Sequence, residues 1–195
     1  MKKTFIKIFI AMSAIATVFY ACNKEKEDDP GLEAEKLLAQ ACLQQSKGAF
    51  VSNASPYNVY LFSITDNNDG TYTWEWRVRN LAPGNGNPGT GTVQDLSHWG
   101  ITLGNCVKPE NIVSGATSTN GTTWNAFTPE FKVDPSQDCY AQSVIKFSLG
   151  TSGTNISYYR LTINKNVSHT STVAIYKSGS NTGCGTLETC GFGCD

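Results

Sequence analysis

Short apolar runs separated by polar turn residues dominate the chain from Ser55 onward. The runs are rich in Tyr, Val, Ile, Thr, Phe and Trp, and the breaks between them in Gly, Asn, Asp, Ser and Pro, which is typical of strands and turns. The predicted strands are 57–65, 71–80, 97–104, 111–117, 123–132, 143–149, 157–164 and 171–178. Eight short strands without a crossover helix predict an all-β fold, either an antiparallel β-sandwich or an open barrel.

The first two predicted strands are joined by a hairpin turn at 66–70, and the strand that follows alternates strictly between two faces. Trp74 and Trp76 lie on the apolar face, so we expect them in the core. The turn carries carboxylate and amide oxygens, but it is one residue short of the EF-hand register and no glutamate follows at the twelfth position. We therefore expect an Asx-type turn, with a calcium site of another type as the alternative.

Residues 31–48 form the only predicted helix. Asp29 and Pro30 suit its start, Gly48 suits its end, and Leu, Ala, Glu, Gln and Lys between them favour a helix. An apolar stripe that includes Cys42 would pack this helix on the β-domain, residues 49–195.

The first 21 residues have the three-part form of a secretory signal, with early lysines, an apolar run at 8–20 and a small residue, Ala21, at the end. A membrane-spanning helix needs about 20 apolar residues, so this run is too short to span. The sequence V-F-Y-A-C at 18–22 resembles a bacterial lipobox, which implies cleavage before Cys22 and lipidation of its thiol. Cleavage after A-I-A at 14–16 is the alternative, and it would leave Cys22 as a seventh thiol.

The acidic tether 22–30 resembles the segment that follows the lipid cysteine in outer-membrane lipoproteins of Bacteroidetes-type bacteria. This resemblance implies a lipid-anchored protein of the outer membrane that is displayed on the cell surface. A solvated charged spacer is the alternative interpretation. Because a lipoprotein cysteine carries several acyl chains, the chain needs no amphipathic helix to hold the membrane.

The charge argues against nucleic acid as a partner. The chain has 15 basic and 16 acidic residues, and removal of residues 1–21 takes away three lysines, which leaves 12 basic residues and a net charge of −4. A phosphate-binding surface needs clustered Lys and Arg, whereas here they are scattered. The literal G-x-G-x-x-G at 84–89 leads toward a strand and not a helix, so we predict no nucleotide cofactor there. The connection 82–96 is instead a candidate recognition loop.

Seven cysteines are present, and lipidation of Cys22 leaves an even number for an exported chain, which predicts a disulfide framework. The six are Cys42, Cys106, Cys139, Cys184, Cys190 and Cys194. The simplest scheme pairs the two mid-chain residues, Cys106 and Cys139, and joins Cys42 to one of the C-terminal three. We predict no metal site, with a zinc site as the alternative.

The D-L-S-H-W segment at 95–99, with its later Gly-Asn-Cys turn, resembles a segment of uncharacterised secreted or lipoprotein β-domains, which implies a fold but no activity. Asp95, Ser97 and His98 supply the residue types of a hydrolase triad. Neighbours on a strand point to opposite faces, so we expect no side-chain hydrogen bond between Ser97 and His98. We predict a structural histidine bonded to a loop carbonyl and no catalytic residue.

Exposed aromatic rings are the other candidates for ligand contact. Trp99 and Trp124 are the predicted surface platforms for sugar rings, with Asp95 and His98 as polar neighbours. Of the adjacent Tyr158 and Tyr159, one at most can stack on a ligand, because they point to opposite faces.

These features predict a surface-exposed binding or adhesion module, with carbohydrate as the ligand class and with the 82–96 loop, the 66–70 turn and nearby aromatic residues as its contacts. A structural envelope subunit that packs on other outer-membrane proteins is one alternative, and it predicts an apolar patch of several hundred Å². A small glycoside or ester hydrolase is another, since two suitably spaced carboxylates suffice for glycoside hydrolysis.

Overall fold

Ten strands and one short 3-10 helix make up the fold in a computed structural model that describes residues 57–80, 95–179 and 183–194. The strands are β1 Tyr57–Asp66, β2 Tyr72–Asn80, β3 Leu96–Ile101, β4 Ile112–Ser118, β5 Asn125–Phe127, β6 Phe131–Lys132, β7 Val144–Phe147, β8 Ile156–Ile163, β9 His169–Ser178 and β10 Cys184–Phe192. The 3-10 helix, Pro109–Asn111, precedes β4.

The strands form two five-stranded sheets, and every strand pairing is antiparallel. The first sheet has the order β1-β2-β8-β4-β5 and the second has the order β10-β9-β3-β7-β6. The prediction of an all-β, disulfide-stapled antiparallel sandwich is therefore confirmed.

Aromatic side chains fill the space between the two sheets. Trp74 and Trp76 are fully buried, as their alternation with polar residues predicted. The indole of Trp76 packs against Phe147 and Phe192 from the second sheet, and its Nε1 donates to the carbonyl of Cys190 at 2.8 Å. This hydrogen bond satisfies a polar group that would be costly to bury unpaired.

The structure departs from the predicted strands in two places. The single predicted strand 123–132 is divided between β5, which pairs with β4 in the first sheet, and β6, which pairs with β7 in the second. Pro129 lies between the two segments, where it cannot donate to a ladder. The last strand, β10, was not predicted because its two glycines and two cysteines give a weak strand signal.

The disulfides correct the predicted pairing of Cys106 with Cys139. Cys106 is bonded to Cys194, and Cys139 is bonded to Cys184. The C-terminal strand β10 lies at the edge of the second sheet, with Cys184 as its first residue and Cys194 two residues beyond its last, so the two cysteines lie at opposite ends of this strand. Each mid-chain thiol therefore meets a C-terminal one. Cys190 is disulfide-bonded as well, and its partner is none of the other four described cysteines.

Several predicted features lie outside the described residues. They are the signal 1–21 with Cys22, the tether, the helix 31–48 with Cys42, and most of the 82–96 connection. Among the residues that are described, no helix is long and apolar enough to cross a membrane.

Candidate functional site

A groove of about 810 Å³ opens at the end of the sandwich where β3 and β8 begin. Both sheets line it, together with the β7–β8 connection at 148–155. Its polar lining includes Ser97, Thr119, Thr151, Ser152, Thr154 and Asn155, and Tyr158 adds an aromatic ring. The hydroxyls of Thr119, Ser152, Thr154 and Tyr158 have no hydrogen-bond partner among the described residues. Within the described part of the chain, these hydroxyls are therefore available to a ligand.

Short backbone contacts hold the wall of this groove in place. Leu96 and Thr151 exchange both backbone hydrogen bonds at 3.1 Å, which ties β3 to the β7–β8 connection. Gly150 approaches so closely that a Cβ there would lie 1.9 Å from the carbonyl oxygen of Leu96, so only glycine fits. Asp95 accepts a 2.7 Å hydrogen bond from the backbone of Gly153. The groove wall is thus fixed before any ligand arrives.

The outer face of the first sheet adjoins the groove through Tyr158, and it carries an arginine held between two aromatic rings. The guanidinium carbon of Arg77 lies 3.1 Å from the ring centre of Phe62 and 5.1 Å from that of Tyr158. Phe62 reaches this position because a β-bulge inserts it as an extra residue between Leu61 and Ser63. The stack fixes the plane of the Arg77 guanidinium.

A second arginine on the same face is bound to a buried carboxylate. Arg160 donates from Nε and Nη2 to Glu75 Oε2 at 3.0 and 2.8 Å, and its guanidinium carbon lies 3.6 Å from the ring centre of Trp124. Glu75 is only 6% exposed and also accepts from Arg77 Nε at 3.3 Å. We call Phe62, Glu75, Arg77, Trp124, Tyr158 and Arg160 the arginine face.

His98 lies in a buried ion-pair network on the outer face of the second sheet. Its Nε2 is 2.9 Å from Asp134 Oδ2, which is also 2.9 Å from Lys146 Nζ. Asp134 Oδ1 accepts from the backbone and hydroxyl of Ser136 at 3.0 and 2.7 Å. The partner of His98 is therefore a carboxylate and not the predicted loop carbonyl. The network ties the 133–137 segment to β3 and β7.

Ser97 contacts the same histidine, contrary to the expectation from strand alternation. The Oγ of Ser97 lies 3.2 Å from His98 Nδ1. The cause is a β-bulge between Leu96 and His98, where two residues of β3 oppose one residue of β9. The extra residue puts both side chains on one face. The Asp134 carboxylate can only accept a proton, so we assign the ring proton to Nε2, which leaves Nδ1 to accept from the serine hydroxyl.

Burial and the neighbouring charges determine the protonation states of His98 and Asp134 near neutral pH. Burial lowers the pKa of His98, and the Lys146 ammonium lowers it further against the opposing effect of Asp134. Burial alone would raise the pKa of Asp134, but hydrogen bonds from Ser136 and Lys146 hold it well below its usual range. The imidazole is therefore neutral and the carboxylate is ionised.

A second cavity, of about 480 Å³, has both Asp134 and Glu130 in its lining. Glycoside hydrolysis needs one carboxyl group with a raised pKa to protonate the leaving group. The hydrogen bond from Lys132 lowers the pKa of Glu130, and the pKa of Asp134 is lowered as well. Neither residue has the protonation behaviour of a glycosidase acid.

The four predicted ligand residues do not form one site. Trp99 is fully buried between Phe147 and Tyr159, so its prediction as a surface platform was wrong. It lies on the inner face of β3, a middle strand of its sheet. Trp124 is half-exposed beneath Arg160. Asp95 holds the groove wall, and His98 is 7% exposed.

The predicted turn 66–70 lies far from the groove. Asp66 and Asp69 accept hydrogen bonds from the backbone of Asn68 and Thr71, as Asx-type turns do. This turn lies beside Ile163 at the end of β8, about 23 Å from its start at the usual rise of about 3.3 Å per residue. In the described part of the chain, no three acidic, His or Cys side chains gather as metal ligands.

Sequence reasoning missed Arg77 and Arg160 as members of a site. The signal was present, because both arginines lie on the polar face of strands whose other face is buried. What the sequence did not show is the bulge at Phe62 and the register that sets Arg77 beside Tyr158. Of the two adjacent tyrosines, Tyr159 is buried and Tyr158 is half-exposed, as the alternation predicted.

The fold and the groove define a two-sheet antiparallel β-sandwich with a polar cleft at one end. No family model matches the chain, and no curated protein does. Among solved structures, the crystal structure of GH20 exo β-N-acetylglucosaminidase from Vibrio harveyi in complex with N-acetylglucosamine is similar at 11% identity and a TM-score of 0.35. The match covers 69% of this chain and only 18% of that enzyme. A likeness this weak bears on neither fold nor activity.

Proposed function

We propose that this protein is a lipid-anchored carbohydrate-binding module on the surface of a bacterial outer membrane, and that the groove receives the glycan. The observation that carries the proposal is the set of hydroxyls that have no partner among the described residues and that lie beside the half-exposed ring of Tyr158. A sugar ring has an apolar C–H face and a rim of hydroxyls. An aromatic ring suits the first, and fixed hydroxyls that both donate and accept suit the second.

The proposed lipid anchor is supported by the N-terminal sequence and by the number of cysteines left for disulfides. Two disulfides account for four of the described cysteines, and Cys190 is bonded to a cysteine elsewhere in the chain. If Cys22 carries the lipid, then Cys42 is the residue left for Cys190. Intact mass before and after reduction tests this, with three bridges and an acylated N-terminus expected. A free thiol at Cys22 would contradict the lipid anchor.

Glycan binding is tested with the full mature protein in mild detergent on a glycan array, followed by titration of the best ligand. We expect Tyr158→Ala to weaken binding at least about fivefold, the equivalent of about 1 kcal/mol of lost ring contact. Tyr140→Ala is the matched control, since Tyr140 lies outside the groove lining and donates to Gln142. Binding to no glycan, or equal loss in both variants, would overturn the proposal.

A second candidate function, ester hydrolysis, is favoured by the contacts of Ser97, His98 and Asp134. They follow the order of nucleophile, base and orienting carboxylate, and Ser97 also lines the groove. Such chemistry also needs N–H donors for an oxyanion beside Ser97. A fluorophosphonate probe tests it: this candidate requires labelling of Ser97 that Ser97→Ala abolishes, and an unlabelled protein removes it.

The structural-subunit alternative predicts one broad apolar patch. The exposed large apolar side chains of the described residues are Phe62, Ile64, Val113, Phe131 and Val133. Phe62 and Ile64 lie on β1 and Val113 on β4, whereas Phe131 lies on β6 and Val133 directly follows it. β1 and β6 are edge strands of different sheets on opposite sides of the sandwich. This distribution does not favour packing on a neighbouring protein through one patch.

A further inference from the structure

We propose that the glycan carries carboxylate groups, as uronic-acid sugars do, and that Arg77 binds one of them at the edge of the groove. This inference rests on the proposed carbohydrate function and names the ligand class for the same site. It follows from three features of the arginine face: an unpaired guanidinium edge, its fixed orientation and the local balance of charge.

The first feature is the unpaired edge of Arg77. Its Nε donates to Glu75, but neither Nη atom has a hydrogen-bond partner among the described residues. Arg160 differs, because Glu75 takes two of its donors. An arginine with two free, parallel N–H groups matches the two oxygens of a carboxylate, and such bidentate pairs are the strong charge-assisted ones.

The second feature is the orientation of the guanidinium. The guanidinium carbon of Arg77 lies 3.1 Å from the ring centre of Phe62 and 5.1 Å from that of Tyr158, so aromatic rings flank the planar group. Glu75 holds the Nε side, and the Arg77 side chain is 24% exposed, so we take the Nη edge as the side that a ligand reaches. A planar carboxylate can approach that edge within the plane of the guanidinium. The side chain of Arg77 is already held in one conformation, so it loses less conformational entropy when a ligand binds.

The third feature is that this face is basic although the whole chain is not. Arg77 and Arg160 share a single carboxylate, Glu75, which leaves a net positive charge beside the groove. Arg77 is also the direct cross-strand neighbour of Tyr158, which lines the groove. A sugar stacked at Tyr158 would place its carboxylate next to Arg77. The ring contact and the ion pair would then act on the same residue of the glycan.

The test compares binding of acidic sugars with that of their neutral counterparts. Titrations of the full mature protein use galacturonate, mannuronate and glucuronate oligosaccharides, each beside its carboxyl-reduced form, at one fixed salt concentration. We expect at least one acidic form to bind about tenfold or more tightly than its reduced partner, the ratio expected for a charge-assisted bidentate pair. Sulfated oligosaccharides bound as well as the carboxylated ones would overturn the assignment to carboxylate.

Variants separate a specific contact from general charge. Arg77→Gln should bring the ratio of the two affinities, acidic form over reduced form, to about one, whatever it does to the affinity for the reduced form itself. Lys108→Gln removes the same charge near the far end of the sandwich and should keep the preference. If neutral glycans bind and no acidic preference exists, or if Arg77→Gln retains it, the carboxylate assignment is wrong while the proposed function stands. If no glycan binds, both fail.

Discussion

Asp134 allows a direct test of the buried network around His98 through substitution by asparagine. The side chain is 3% exposed and receives the His98 and Lys146 nitrogens at 2.9 Å on one oxygen and Ser136 on the other. An asparagine that keeps its oxygen toward Ser136 turns its NH₂ toward two donors. The substitution therefore removes the charge and leaves buried donors facing each other.

The expected cost of Asp134→Asn is about 2–4 kcal/mol, since breaking one side of a buried charged network costs more than losing a neutral hydrogen bond. For a chain of this size, each kcal/mol shifts the unfolding midpoint by about 2–4 °C, so we expect a fall of roughly 4–16 °C. The native pKa of Asp134 lies below the unfolded value of about 3.9. Its stabilisation is therefore complete above that pH and is lost as the pH falls further.

Thermal unfolding monitored by circular dichroism, with disulfides intact, measures the effect at pH 7 and across the acid range. Glu130→Gln is the matched control, because Glu130 pairs with Lys132 in the open, with both side chains at least 60% exposed. We expect no measurable change from it. An Asp134→Asn protein that unfolds with the wild type, or a difference between them that does not shrink below about pH 4, would refute the reasoning.

Three further predictions concern the stability of the sandwich. Because the native pKa of His98 lies below its unfolded value of about 6.5, stability should fall as the pH drops from about 7.5 to 5.5, and His98→Gln should lose less over that range in urea titrations. In the same assay, Trp99→Ala should lower the free energy of unfolding by about 3–5 kcal/mol, whereas Trp124→Ala, at a half-exposed ring, should lower it clearly less. Equal losses would contradict the burial of Trp99. Replacing Cys106 and Cys194 together by serine opens a loop with a sequence separation of 88. In the chain-entropy model this should lower the free energy of unfolding by about 4.6 kcal/mol. An unchanged denaturation midpoint would contradict the pairing.

Most of the sandwich could be predicted because strand alternation is a local signal. The apolar face of β2 was identified from its aromatic residues, and those residues are in the core. The strands that escaped prediction are the ones where local composition and tertiary pairing disagree. β10 contains few residues that favour strands, yet it pairs with β9 along its whole length. The β5–β6 segment reads as continuous, yet its halves pair in different sheets.

The site was less predictable because two bulges create it. One extra residue in β3 brings Ser97 and His98 to the same face, and one in β1 places Phe62 over Arg77. A bulge shifts the side-chain alternation by one residue, and the local composition does not predict where a bulge occurs. The disulfide partners of the mid-chain cysteines likewise depend on where β10 lies, which only the sheet order decides.

Hydrogen–deuterium exchange of the mature protein with and without its tightest glycan tests the central claim most directly. If the groove is the binding site, amides of 149–158 and of the start of β3 should exchange more slowly with ligand, while the turn at 66–71 should exchange unchanged. Protection confined to that turn, or no protection along the groove at saturating ligand, would contradict the account.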